Sequence, residues 1–147
     1  MRVLILYETR RGFTLTVARA IRDAFLSRGV AASTAPLRDV DAGTIAAADA
    51  LIVGTWVKGA IVAGVGPAAG VEDAVAGLPL LEGRPTGVFC TCDVAPRRTL
   101  RTLASWLSLR EANVLVGQVF RRKKSLRRVP AFVDGALDAF ARTPTSA

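Results

Sequence analysis

At 147 residues and 51% hydrophobic content, the chain has the material for one domain with a sizeable core and needs no linker. Cys90 and Cys92 are its only cysteines and it has no histidine, which argues against a disulfide framework and a metal centre and leaves both thiols as small buried hydrophobes. Its net charge of +8 is unevenly spread: 10 of the 20 basic residues fall between Arg97 and Arg128, where Glu111 is the only acid, so an anionic partner or surface is expected.

In chain order, apolar runs alternate with helical stripes, the pattern of βα units and a parallel sheet covered on both faces. The first strand is expected at Arg2–Tyr7, and a helix at Leu15–Ser27 buries Val17, Ile21, Ala24 and Phe25 before Gly29 ends it. A second strand at Ala31–Pro36 leads to a short helix over Val40–Ala48, and a third strand spans Ala50–Gly54. The glycine-rich stretch Gly59–Gly70 reads as a ligand loop ahead of a helix at Val71–Ala76. A fourth strand at Pro85–Cys90 is followed, after Pro96, by a helix whose stripe is Leu100, Leu103, Ala104 and Leu107. The fifth strand, Asn113–Phe120, precedes a last helix with Phe132, Val133, Ala136, Leu137 and Phe140 inward, and Pro130 stands in its first turn. One domain over 1–142 with a frayed tail at 143–147 is expected. No apolar run is long enough to span a bilayer, and the opening strand does not read as an export leader, so a cytoplasmic protein is expected.

The segment Glu8-Thr9-Arg10-Arg11-Gly12-Phe13-Thr14 joins the first strand to the first helix. It places backbone N–H groups, two hydroxyls and a helix N-terminus around one point, which suits a phosphate monoester. There is no G-K-S/T for a nucleoside triphosphate and no acidic pair after the first strand for a phospho-accepting receiver domain. The chain also offers no catalytic nucleophile with an activating base, so no catalytic residue is assigned.

The spacing of Thr9, Gly12 and Thr14 resembles the first loop of the flavodoxin family, S/T-x-T-G-x-T, although Arg11 replaces the usual Thr and Phe13 the common Asn or Thr. Gly54-Thr55-Trp56 and Cys90-Thr91-Cys92-Asp93 follow in the places of that family's two flavin-clasping loops. The resemblance implies a flavodoxin-like three-layer α/β sandwich, a five-stranded parallel sheet in the order 2-1-3-4-5, and flavin mononucleotide (FMN) bound where strand order reverses. It implies a phosphate cradle from Thr9, Arg10, Arg11, Gly12, Phe13 and Thr14. Thr55 and Trp56 would flank the ring system with Trp56 stacking on it, and a turn of Val57, Lys58 and Gly59 would face flavin N5. Thr91, Cys92, Asp93, Val94 and Ala95 would cover the pyrimidine edge. Trp56 also has a plain reading as a core residue at a strand end, while Trp106 lies off its helix's stripe and reads as surface packing.

On this topology Arg10, Arg11, Arg38, Lys58, Arg97, Arg98, Arg121, Arg122, Lys123, Lys124, Arg127 and Arg128 fall at one edge of the sheet, the edge of the expected cofactor. Flavodoxins familiar from the resemblance are acidic, and this chain reverses the sign. The functional expectation is an electron-transfer protein whose partner is an acidic redox protein or an anionic small molecule. Two alternatives stand beside it: a flavin-dependent oxidoreductase acting on a quinone-like or anionic substrate, and a module without cofactor that binds an acidic partner. Nucleic acid is disfavoured, because the Arg121–Arg128 cluster has only Phe120 at its border for base stacking.

Overall fold

The computed structural model describes residues 1–10, 12–58, 66–92, 98–122 and 125–143. Strands β1 (Arg2–Tyr7), β2 (Ala31–Pro36), β3 (Ala50–Lys58), β5 (Pro85–Cys92) and β6 (Asn113–Arg121) form a parallel sheet in the order β2-β1-β3-β5-β6. A two-residue strand β4 (Gly66–Pro67) returns antiparallel against the end of β3. Leaving that hairpin aside, the order is the expected 2-1-3-4-5.

Successive sheet residues serve opposite faces. Val3, Ile5 and Ile52 point into one cluster with Val17, Ile21 and Phe25 of helix α1 (Phe13–Ser27) and Phe132, Val133, Ala136 and Phe140 of α5 (Val129–Ala141). Leu4, Leu6, Leu51 and Val53 point the other way, onto α2 (Ala42–Ala46), α3 (Val71–Ala76) and α4 (Thr99–Ser108). The helix stripes read from the sequence therefore account for the two cores. β2 and β6 are the edge strands. Among the described residues no helix is long and apolar enough to cross a membrane.

Several expected boundaries move. β3 does not stop at Gly54 but continues to Lys58, because Thr55 and Trp56 still pair with Cys90 and Thr91 of β5. Gly54 is an interior strand residue chosen for packing: a Cβ there would sit 2.0 Å from Cζ of the buried Phe89 ring. β5 likewise runs on to Cys92 and β6 to Arg121. α1 starts at Phe13, ahead of the expected Leu15, because Gly12 turns the chain into it with φ +88°. α2 is shorter than expected, its start fixed by the Asp41 carboxylate, which accepts from the Thr44 N–H at 2.7 Å. Of the expected ligand loop, 59–65 lies outside the described residues; Gly66–Pro67 is strand, and Gly70 leads into α3. The expected tail lies outside them from residue 144 on.

Candidate functional site

The C-terminal ends of β1, β3 and β5 and the N-terminus of α1 meet at the strand-order reversal. The loop after β1 is fixed by short-range bonds. The Gly12 N–H donates to Thr9 Oγ1 at 3.0 Å, and the Gly12 carbonyl accepts both the Thr16 N–H at 2.9 Å and the Thr16 hydroxyl at 3.0 Å. Glu8 N–H donates to the Gly54 carbonyl at 3.0 Å, tying the root of the loop to β3.

A helix start leaves its first N–H groups without intrahelical partners, and the peptide dipoles add partial positive charge there. In α1 these are the groups of Phe13, Thr14 and Leu15. No side chain caps this end and its first turn carries no acid. Gly12 is required by its left-handed φ rather than by crowding, since a Cβ there would meet nothing within 4 Å.

Two guanidiniums flank this N-terminus. Arg10 Cζ lies 5.4 Å from the Trp56 ring centroid, and Arg122 Cζ lies 4.9 Å from that of Phe13, the first residue of α1. Arg122 N–H also donates to the Cys92 carbonyl at 3.2 Å, closing β6 over the end of β5. Two cationic side chains, Arg10 and Arg122, thus lie beside the start of α1.

Not every candidate residue faces the same way. The buried Thr14 hydroxyl pairs with the buried Thr91 hydroxyl at 2.7 Å, linking α1 to β5. Two hydroxyls carry two protons and this bond uses one. Thr55 is spent on the fold: it donates to the Trp56 carbonyl at 3.0 Å and accepts the Ala68 N–H at 3.1 Å, holding the chain after β4 in place. Val57 and Lys58 are strand residues paired with Pro67 and Gly66, not a turn. Thr91 and Cys92 end β5 rather than opening a loop. Arg11, Gly59, Asp93, Val94 and Ala95 lie outside the described residues.

Trp56 is half-buried against the second core cluster with Arg10 over its ring; Trp106, expected at the surface, packs against the same cluster. Arg38, counted with the basic rim, is a structural clamp. It pairs with Glu8 at 2.8 Å and donates to the Ala69 carbonyl, its guanidinium filling the space that a Cβ on Gly70 would need. Its charge is offset by Glu8. Arg10, Arg98, Arg121, Arg122, Arg127 and Arg128 are, like it, exposed at this end. Local spacing exposes neither the Thr14–Thr91 pair nor the Arg38 clamp, since each joins residues distant in sequence.

Cys90 is fully buried, and desolvation, with a smaller push from Cys92, raises its thiol pKa to about 12. No disulfide joins the two cysteines, and the described residues contain no cluster able to hold a metal ion. In a Cys92→Ser variant, Cys90 should resist iodoacetamide at pH 8 in the folded protein and react fully in urea. Rapid alkylation of the folded variant would contradict this burial.

No protein-family model matches the chain, and no curated protein matches its sequence. Its architecture is similar to that of solved structures. Two-electron reduced flavodoxin from Megasphaera elsdenii aligns with a TM-score of 0.77 at 19% identity, over 96% of this chain and 99% of that one. Oxidised flavodoxin 2 from Bacillus cereus aligns with a TM-score of 0.76 at 17% identity, over 94% and 99%. The rubredoxin oxygen:oxidoreductase of Desulfovibrio gigas aligns with a TM-score of 0.76 at 16% identity, over 95% of this chain but 35% of the larger protein. The chain has the flavodoxin fold.

Proposed function

We propose that the chain binds FMN at the α1 N-terminus and acts as an electron-transfer protein with a basic rim, exchanging electrons with an acidic redox protein or an anionic small molecule. The observation that carries this reading is the fixed, uncapped N-terminus of α1 between Arg10 and Arg122. Its donors and positive field match a phosphate dianion, and Gly12 leaves room for one. Phe13, Thr14 and Leu15 would hold the phosphate through backbone N–H groups, and Thr9 would keep the loop in shape through its bond to Gly12. Bound FMN supplies the redox chemistry; the protein supplies binding, orientation and field. The positive field at this edge favours whichever state of the bound group carries more negative charge and steers anionic partners towards it.

Cytoplasmic location belongs to the same reading. The oxidoreductase alternative draws support from the fold's presence within a larger oxidoreductase. The alternative without cofactor draws on Arg10, which covers the Trp56 face that a flavin would use.

Adding FMN to the purified protein should produce the absorption of a bound oxidised flavin and quench indole emission. Trp56→Ala should remove most of the quenching and Trp106→Ala little of it. No spectral change on adding FMN would leave the cofactor-free module as the reading. Quenching lost with Trp106 instead would move the flavin away from β3.

A further inference from the structure

We infer that the 3-10 turn Ser125–Arg128, ahead of α5, is the docking surface for an acidic electron-transfer protein, with Leu126 as its apolar anchor. This rests on the flavin reading for the partner's purpose, but not for the surface itself. Residues Ser125–Arg128 form one 3-10 turn that packs on β6, α1 and α5. Leu126 in this turn has 41% of its surface exposed, and in sequence it stands between the exposed Arg121 and Arg122 and the exposed Arg127 and Arg128.

A single exposed leucine is ordinary on any protein; its position here is not. The other large exposed hydrophobic residues among those described are Met1, Leu26, Leu80, Leu109 and Leu115. Met1 precedes β1, Leu26 and Leu109 end helices, Leu80 lies before β5, and Leu115 is in the first half of β6. All belong to the opposite end of the sheet or to its edge. Leu126 stands at the cradle end, and Arg122 connects its turn to the cradle through the Phe13 ring. A partner seated on Leu126 therefore covers the edge where the cofactor is proposed.

The chemistry favours a protein. Arginine is weakly hydrated, pairs with carboxylates in fixed geometry and is enriched at interfaces, and an exposed apolar side chain accompanied by arginines fits a partner surface that combines an apolar patch with acids. Nucleic acid would want exposed aromatic faces, but Phe120 is buried and Phe13 lies under Arg122. A bilayer would want an amphipathic helix, and a four-residue turn presents one leucine.

The test is amide NMR on the labelled full-length chain, titrated separately with a strongly acidic [2Fe–2S] ferredoxin, phosphatidylserine-containing vesicles and a single-stranded oligonucleotide. With the ferredoxin, the shifted or broadened amides should centre on Leu126, Arg127, Arg128 and Phe13. Leu126→Ser should weaken its binding about tenfold at low and high salt alike. Arg127→Gln with Arg128→Gln should weaken it mainly at low salt, where charge is least screened. Leu109→Ser, at the far end, should change nothing. Wild-type ferredoxin binding by the Leu126→Ser variant, a footprint elsewhere, no ferredoxin binding, or tighter binding of vesicles or oligonucleotide would each overturn the proposal. Docking is read without flavin signal, so the two readings fail separately: ferredoxin bound at Leu126 with no flavin absorption sinks only the cofactor. Flavin bound with a footprint away from Leu126 sinks only the docking surface.

Discussion

Gly54→Ala should destabilise the protein by roughly 3 kcal/mol, the upper part of the range for overpacking a core. The added methyl would lie 2.0, 2.2 and 2.4 Å from three atoms of the Phe89 ring. That ring has no room to retreat, because it packs edge-on against Phe120 at 5.9 Å, and Phe120 does the same against Phe132 at 5.9 Å. Moving the backbone instead would strain the Gly54 carbonyl's bond to Glu8, at the root of the cradle. Urea melts of Gly54→Ala, Phe89→Leu and the double variant measure the effect. The double variant should be at least about 1 kcal/mol more stable than the two single changes summed, since the smaller side chain vacates the space the methyl needs. Strict additivity would mean that the ring is not what dictates glycine here.

Gly54 also marks where the sequence stops being readable. Taken locally, a glycine after Ala50–Val53 looks like a strand end; its actual cause is a phenylalanine on the neighbouring strand, and pairing with β5 carries the strand two residues further and pairing with β4 another two. β1, β2 and α3 have no such distant determinant, and their predicted limits coincide with the observed ones. β4 has no strand signature in Gly66–Pro67 and exists because Thr55 grips Ala68. The site divides in the same way. The cradle is legible because Thr9, Gly12 and the start of α1 act within one turn of chain. The roles of Thr14, Thr55 and Arg38 are not, because each is set by a partner that only folding brings near. Placing charges on a topology could not reveal that Glu8 pairs with Arg38.

FMN should bind at least about a hundredfold more tightly than riboflavin. Charge-assisted hydrogen bonds contribute roughly 1.5–3 kcal/mol each, and the α1 N-terminus offers several to a phosphate and none to a terminal hydroxyl. Gly12→Val should erode that preference, because a β-branched residue held near φ +88° costs about 1–3 kcal/mol and is relieved by reshaping the loop. Stability should fall less than in Gly54→Ala, as the new side chain meets no neighbour. The preference should also fade below about pH 6, where a phosphate monoester takes up its second proton and the positive cradle loses its dianion; the chain has no histidine to titrate in that window. Thr14 permits a finer division. Thr14→Val strands the Thr91 hydroxyl in the core at a cost of about 1–3 kcal/mol, whereas Thr14→Val with Thr91→Val removes both partners and should recover most of that stability. If the hydroxyl pair gives its remaining proton to the phosphate, the double variant will be as stable as wild type yet still weaker for FMN, with riboflavin affinity unchanged. Recovery of FMN affinity together with stability would show that the pair only fastens α1 to β5, leaving the backbone of α1 to hold the anion alone.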